Sequence, residues 1–410
     1  MAYEFTNIPA HWSIKKMPEV VKWGSGGTPK ATEKAYYENG TIPWLIIGDL
    51  NDGIVTESAT KITELGIENS SAKMIPVGTL LVAMYGSIGK LGITGIECCT
   101  NQAIAYAKHL YGVTTKFMFY YMALIKSELI SMGKGGTQKN ISQTVLNSLS
   151  VPVPPIEEQE RIVTRIEELF SELDNGVATL RKTKQQLAVY REAVLSEAFQ
   201  KIDVHVVETT LGAVLDVLTD YHANGSYKVL KENVQLLDEP DYAIMIRSTN
   251  FEKEDFENDV KYISKHSYDF LKKSQLHGGE VLMGKIGNAG RVYYMKDLGR
   301  PMSLAMNMFA MRFKDCILSK YVYYYLCSPS AIHEISQHVK GVGTPTIDKK
   351  SVRSIHIRYP DQIDLQKSIV DRVEAQLSIC DSIEKTVDTA LLQAEAMRQS
   401  VLKQAFEGRL

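Results

Sequence analysis

Residues 191–199 run Arg-Glu-Ala-Val-Leu-Ser-Glu-Ala-Phe, and residues 398–406 run Arg-Gln-Ser-Val-Leu-Lys-Gln-Ala-Phe. Arg191, Val194, Leu195, Ala198 and Phe199 thus return 207 positions later as Arg398, Val401, Leu402, Ala405 and Phe406. A chain of 410 residues that repeats itself at half its length is built from two copies of one unit. The same shift pairs Ile162-Val163 with Ile369-Val370 and Gly136-Thr137 with Gly343-Thr344. Gly86, Gly89 and Lys90 meet Gly287, Gly290 and Arg291 at a shift of 201, which a small indel explains. The expected organisation alternates globular and helical segments: 1–155, 156–200, 201–360 and 361–410.

The helical segments carry heptads. Ile166, Leu173, Leu180, Leu187 and Val194 recur every seven residues, and Val373, Cys380, Val387, Ala394 and Val401 repeat them. Leu169, Val177, Tyr190 and Ala198 support the first stripe, and Leu377, Ile383, Ala390 and Met397 the second. Apolar residues held at period 3.5 over five heptads point to coiled-coil helices. Pro154-Pro155 and Pro360 stand just ahead, where proline can precede or start a helix but cannot continue one. A lone helix cannot bury such a stripe. The two are expected to pair as an antiparallel coiled coil, giving a pseudo-twofold molecule, with packing onto a partner's helices as the alternative. At 1.5 Å per residue each would be roughly 65–70 Å long, enough to act as a ruler. Counted by segment, the formal charges are +2, −3, +2 and −3: two mildly basic globular units alternate with two acidic helices.

Each globular segment mixes β-like runs (Trp44–Ile47, Leu80–Met84, Tyr242–Ile246) with an aromatic-rich helical stretch, Lys116–Ser131 or Lys320–His338. The fold class is α+β: two mixed α/β domains and two long helices. Between these elements lie glycine- and lysine-rich turns at matching places in both copies. Backbone amides freed by glycine, next to a cation or a hydroxyl, suit phosphate oxygens. The candidate DNA-binding residues are therefore Ser87, Lys90, Lys134, Thr137, Gln138, Lys139 and Asn140 in the first copy, and Lys285, Asn288, Arg291, Lys340 and Thr344 in the second. Base readout would fall to other polar side chains on loops.

Bulk properties are neutral on function. Lys plus Arg is 46 against 48 for Asp plus Glu, a net charge of −2, so whole-chain charge points neither to nucleic acid nor to a membrane. No apolar run approaches the roughly 18 residues a membrane span needs, and a cytoplasmic protein is expected. The five cysteines form no CxxC pair, so reduced thiols are expected. Gly86-Ser87-Ile88-Gly89-Lys90 has two residues between its glycines where a P-loop needs four. No GxGxxG opens a helix, Val153-Pro154-Pro155-Ile156 lacks the Asn and aromatic of an adenine methyltransferase motif, and His333 and His338 have no companions for zinc. No catalytic or metal-binding residue is expected.

Taken together the chain resembles the specificity subunit of type I restriction-modification systems over essentially its whole length. The resemblance is carried by Gly26-Gly27-Thr28-Pro29, Tyr36-Tyr37 and Gly40-Thr41-Ile42-Pro43-Trp44 at the start of the first copy. It continues in Gly136-Thr137-Gln138-Lys139-Asn140-Ile141-Ser142 and in Val151-Pro152-Val153-Pro154-Pro155-Ile156-Glu157-Glu158-Gln159 at its exit. The second copy keeps the outline in Gly343-Thr344-Pro345 and Tyr359-Pro360-Asp361 without the double proline. The resemblance implies that 1–155 and 201–360 are target recognition domains, each binding one half of a split, asymmetric target in double-stranded DNA. The helices would set the spacer and carry two methyltransferase subunits, with restriction subunits joining through the methyltransferase complex. Adenosylmethionine, ATP and Mg would then belong to those partners and this chain would be non-catalytic. The alternative is a coiled-coil scaffold that binds proteins and has no DNA specificity.

Overall fold

The structure, a computed structural model, describes residues 8–135, 139–200 and 205–410. The chain forms two compact units: Met1–Arg181 with Asp388–Leu410, and Lys182–Val387. Each unit contains one globular region and a stretch of both long helices, so the helices are shared where the sequence reading had set them apart as separate segments.

The globular part of the first unit contains β1 (Ser13–Lys16), β2 (Val21–Ser25), β3 (Ile42–Leu45), β4 (Gly53–Val55), β5 (Lys61–Ile62), β6 (Leu80–Ala83), β7 (Leu91–Thr94), β8 (Cys99–Thr100), β9 (Ile104–Leu110) and β10 (Ser150–Val153). A five-stranded sheet has the order β2-β9-β6-β7-β4, and a three-stranded one the order β5-β3-β8 with β3 and β8 parallel. Antiparallel β1 and β10 join the region's beginning to its end. The apolar run of β6 is buried at every position because its two faces serve two cores. Leu80 and Val82 pack with Phe117, Met118 and Tyr121, while Leu81 and Ala83 pack with Leu45, Ile75 and Ile104.

The second unit contains β11 (Val206–Thr210), β12 (Leu215–Asp220), β13 (Ala243–Ile246), β14 (Lys261–Ile263), β15 (Gln275–Leu276), β16 (Val281–Gly284), β17 (Val292–Tyr294), β18 (Met302–Leu304), β19 (Met308–Phe313) and β20 (His356–Pro360). Its sheets are β12-β19-β16-β17 and β14-β13-β18-β15, with β11 paired to β20. β16 repeats the design of β6: Val281 and Met283 face one core, Leu282 the other.

Both aromatic stretches are broken, where single helices were expected. Lys116–Ser131 becomes Thr115–Leu124 and Lys126–Ser131, interrupted at Ile125, whose φ of −89° and ψ of 10° leave the helical region. Lys320–His338 becomes Ser319–Leu326 and Pro329–His338. Pro329 cannot continue a helix, and the Ser328 hydroxyl accepts from the Ala331 amide to start a new one.

The long helices span Ile156–Gln200 and Ile363–Phe406 and begin 207 residues apart. Two fully buried glutamines fix that register. Gln159 accepts from the Thr114 amide at 2.9 Å and donates to the Gly112 and Pro154 carbonyls at 2.9 Å each. Gln366 accepts from Leu318 at 2.8 Å and donates to Cys316 and Pro360 at 3.0 and 2.8 Å. In each unit the two helix stretches run antiparallel. In the first, Arg398 pairs with Asp174 and lies 4.7 Å from the Phe170 ring, while Val401 and Ala405 join Ile166 in the core. In the second, Arg191 pairs with Asp381 at 2.6 Å and Glu384 at 2.9 Å, and Val373 and Val370 join Ala198. Of the ten heptad positions, Ile166, Leu187, Val194, Val373, Cys380, Val387 and Val401 are buried and Leu173, Leu180 and Ala394 half-buried. Tyr190, Ile383 and Met397, expected to support the stripe, are exposed, because a two-helix seam covers a narrower arc than the full apolar pattern.

The helix ends tie into the globular regions by the same contact in both units. Phe406 lies 4.8 Å from the Phe117 ring and 5.6 Å from Tyr121, and Phe199 lies 5.3 Å from Tyr321 and 5.5 Å from Tyr325.

Candidate nucleic-acid interface

In each unit the fold joins two glycine- and lysine-rich turns that lie some fifty residues apart in sequence. The first leaves the buried central strand: Gly86 and Gly89 follow β6, Gly287 and Gly290 follow β16. All four have positive φ, 62° and 74° in one unit and 81° and 84° in the other. The Gly89 amide donates to Ala83 at 3.0 Å and the Gly290 amide to Gly284 at 2.9 Å. Lys90 and Arg291 each bond back three residues, to Ser87 and Asn288, at 3.1 Å. A side chain at Gly290 would place its Cβ 2.5 Å from Ile335 Cγ2, so only glycine fits both the turn and the helix beneath it.

The second turn is closed by a reciprocal backbone pair. Lys134 and Asn140 exchange bonds of 2.9 Å, and Lys340 and Thr346 bonds of 2.9 and 2.8 Å. It is stitched to the first turn by Gly86 donating to the Lys139 carbonyl at 3.1 Å and by Gly287 donating to the Pro345 carbonyl at 2.9 Å. Tyr85 bridges Asn140 in one unit and Ile286 bridges Thr346 in the other. Among the described residues the two copies therefore share these backbone bonds, down to which amide meets which carbonyl.

Of the candidates in the first unit, Ser87, Lys134, Lys139 and Asn140 are exposed on this paired turn, and Thr137 and Gln138 lie outside the described residues. Ser87, Lys90, Lys126 and Lys139 line a cavity of about 310 Å³. Lys126 is paired there with Asp52 at 2.9 Å, and Lys90 donates to the Ile47 and Gly48 carbonyls at 3.2 and 3.4 Å. In the second unit Asn288, Arg291, Lys340 and Thr344 are exposed. Asn288 bonds Glu252, Arg291 lies 5.8 Å from the Tyr293 ring, and Lys340 stands 3.9 Å from Asp348. Lys285 is turned inward. It and Lys349 hold the buried Asp220 at 2.7 and 2.8 Å. Burial pushes that carboxyl up, and the two lysine hydrogen bonds outweigh it, holding it below the usual carboxylate range.

Among the described residues no group of three or more His, Cys, Asp or Glu side chains is arranged to hold a metal ion. Burial pushes the Cys98 thiol up to about 12, with neighbouring Cys99 adding to the shift, and pushes Cys99 and Cys327 up to about 11, so none of these three is a ready nucleophile. No described helix is long and apolar enough to cross a membrane.

Comparison with known proteins bears on this construction directly. Residues 9–187 and 209–393 match, as two copies, the family model described as the type I restriction modification DNA specificity domain. The chain belongs to that family. Among curated relatives, the EcoBI specificity subunit of Escherichia coli is 26% identical over 81% of this chain and 73% of its own length. The EcoKI specificity subunit of Escherichia coli strain K12 is 23% identical over 98% of this chain and 90% of its own. A solved chain from a study of complex assembly and conformational transition of the type I R-M system matches with a TM-score of 0.75 at 16% identity, covering 98% of this chain and 99% of that one. The HsdS subunit from Thermoanaerobacter tengcongensis matches with a TM-score of 0.56 at 15% identity over 98% of both chains. This type I specificity subunit carries the DNA sequence specificity of its system, and the scaffold alternative is not favoured. Its two family matches each contain one paired turn.

Sequence reading missed the bonding role of Gln159 and Gln366. Their signal was present as one Gln recurring at the helix shift of 207, but an isolated polar residue in an acidic helix looks solvated until its partners are known.

Proposed function

We propose that each unit binds one half of a bipartite, asymmetric target in double-stranded DNA, with the paired turns gripping the phosphate backbone. The observation that carries this reading is the duplicated turn pair, with positive-φ glycines at four matched positions and Lys134, Lys139, Arg291 and Lys340 exposed beside them. A phosphate looks the same at every base pair, so a contact to it can be repeated in both copies. Differences elsewhere in the two units then allow two different half-sites. Within this reading Ser87, Asn140, Asn288 and Thr344 add hydrogen bonds to phosphate oxygens, and Lys90 and Lys285 brace the turns from inside.

The chain itself is non-catalytic in this proposal. It directs two methyltransferase subunits, through which restriction subunits join, and adenosylmethionine, ATP and Mg belong to those partners. The heptad count of the long helices sets the spacer between the half-sites, which inserting matched heptads in both helices tests by the change in spacer length.

The test of the phosphate grip is a gel-shift series against salt with the purified methyltransferase complex on duplex DNA. Replacing Lys134, Lys139 and Lys340 by alanine is expected to weaken binding on all sequences alike and to flatten the log–log salt dependence by about 0.9 per lost contact. An unchanged slope would remove these turns from the interface.

A further inference from the structure

The loops beside the paired turns are matched in backbone and mismatched in side chain. At the end of β3, the Ile46 amide donates to Asp49 Oδ2 at 2.8 Å; at the end of β13, the Arg247 amide donates to Asn250 Oδ1 at 2.9 Å. Asn101 donates to the Leu45 carbonyl at 3.0 Å, and Ala305 to the Ile246 carbonyl at 2.9 Å. The connection to the glycine turn is also common: Met84 donates to Ala103, and Lys285 to Asn307, both at 2.8 Å. Bond for bond, residues 46–48 and 101–103 correspond to 247–249 and 305–307. Yet Ile46-Ile47-Gly48 stands opposite Arg247-Ser248-Thr249, and Gln102-Ala103 opposite Met306-Asn307.

A shared frame with divergent side chains is what two readers of two different sequences require, because base edges, unlike phosphates, differ between half-sites. In the second unit these loops line a cavity of about 250 Å³ that includes Arg247, Ser248, Thr249, Met306 and Asn307. Arg247 is committed to Asp259, through its carbonyl at 2.8 Å and its carboxylate at 3.3 Å. The hydroxyls of Ser248 and Thr249 and the amide of Asn307 have no side-chain hydrogen bond to any described residue, and Thr249 and Asn307 are exposed. In the first unit the exposed Gln102 is held by the Thr28 hydroxyl through its amide oxygen, which leaves its amide nitrogen free to donate.

We propose that base reading is done by these loops: Gln102, oriented by Thr28, in the first unit, and Ser248, Thr249 and Asn307 in the second, each taking a base-pair edge in the major groove. This rests on the DNA-binding reading above and deepens it by separating the residues that read sequence from those that grip phosphate. Asn and Gln present a donor and an acceptor side by side, the pattern that adenine offers in reverse.

The experiment is single-molecule methylation sequencing of DNA from cells carrying the methyltransferase complex with wild-type chain, with Gln102→Ala, or with Asn307→Ala and Ser248→Ala/Thr249→Val. The Gln102 variant is expected to relax one half-site, and the second-unit variants the other, by about ten- to hundred-fold in base preference at one or two positions. Variants that keep the wild-type motif at wild-type levels overturn the assignment. Where a variant methylates nothing, competition by duplexes altered one base at a time decides it. Lost discrimination confined to one half supports the proposal, and uniform weakening overturns it. If the wild type itself marks no split motif, the DNA-binding reading fails instead.

Discussion

In the first unit Lys90 hangs its ammonium on two backbone carbonyls, and the neighbouring Lys126 pairs with Asp52. At the matched place in the second unit Arg291 lies against an aromatic ring, and the neighbouring Lys285 reaches down to a buried aspartate that Lys349 also holds. The backbone bonds of the two turns match among the described residues; the side-chain chemistry supporting them does not. What has been kept since the duplication is the position of amides and carbonyls, and with it the positive-φ glycines. What has drifted is the side chains of the matched loops and the braces beneath the turns. The contrast separates a frame, which must be common to both halves, from readers, which must not.

The frame is expected to respond alike in both units. Gln159→Ala and Gln366→Ala each strip three hydrogen bonds from backbone groups, one buried and two part-buried, at a cost of about 2–4 kcal/mol. Hydrogen exchange followed over each unit should show the first variant loosening the first unit and the second variant the second. A large loss at only one of them would break the equivalence.

The glycines come next and sharpen the comparison. Gly290→Ala forces a positive φ and a 2.5 Å approach to Ile335, and is expected to cost about 2–4 kcal/mol. Gly89→Ala comes closer than ordinary contact only to the flexible Lys126 stem, at 3.1 Å, and should cost about 1–2 kcal/mol. Equal losses in urea unfolding would show that crowding beneath the turn does not matter.

Asp220 has no counterpart in the bonding of the first turn. Asp220→Asn is expected to cost about 2 kcal/mol at neutral pH, confined to the second unit. Because the folded carboxyl titrates below its unfolded value near 3.9, its contribution is complete above that value and is lost as pH falls through the lower folded one. The gap between wild type and variant should therefore close on acidification, and a constant gap from pH 5 to pH 2 would contradict the assignment.

The smallest effect is expected at a contact that both units share. Lys116 meets Glu167 and Lys320 meets Glu374, both at 2.8 Å and both substantially exposed. Methionine at either lysine should cost under about 1 kcal/mol in the same unfolding assay.

How much of this was legible in the sequence depended on the range of the interaction. The long helices announced themselves because a heptad is a local pattern, and the turns because glycine at positive φ leaves few alternatives to glycine. The sheet order was not legible. β3 pairs in parallel with β8 more than fifty residues away, and nothing in Ile42–Leu45 names Cys99–Thr100 as its neighbour. The matched loops were hidden for a different reason: their equivalence runs through backbone atoms, so Ile46 and Arg247 share only an N–H. Lys90 and Lys285 stood among the candidate DNA-binding residues because sequence shows a charge but not the carbonyls or carboxylate that hold it.

The most direct test of the central claim is the methylation pattern written by the wild-type complex, read by single-molecule sequencing against a strain lacking this chain. The account predicts one new motif made of two dissimilar halves at a fixed spacing, with methyladenine in both. A single undivided motif, two identical halves, or no new motif from a soluble, assembled complex would contradict it.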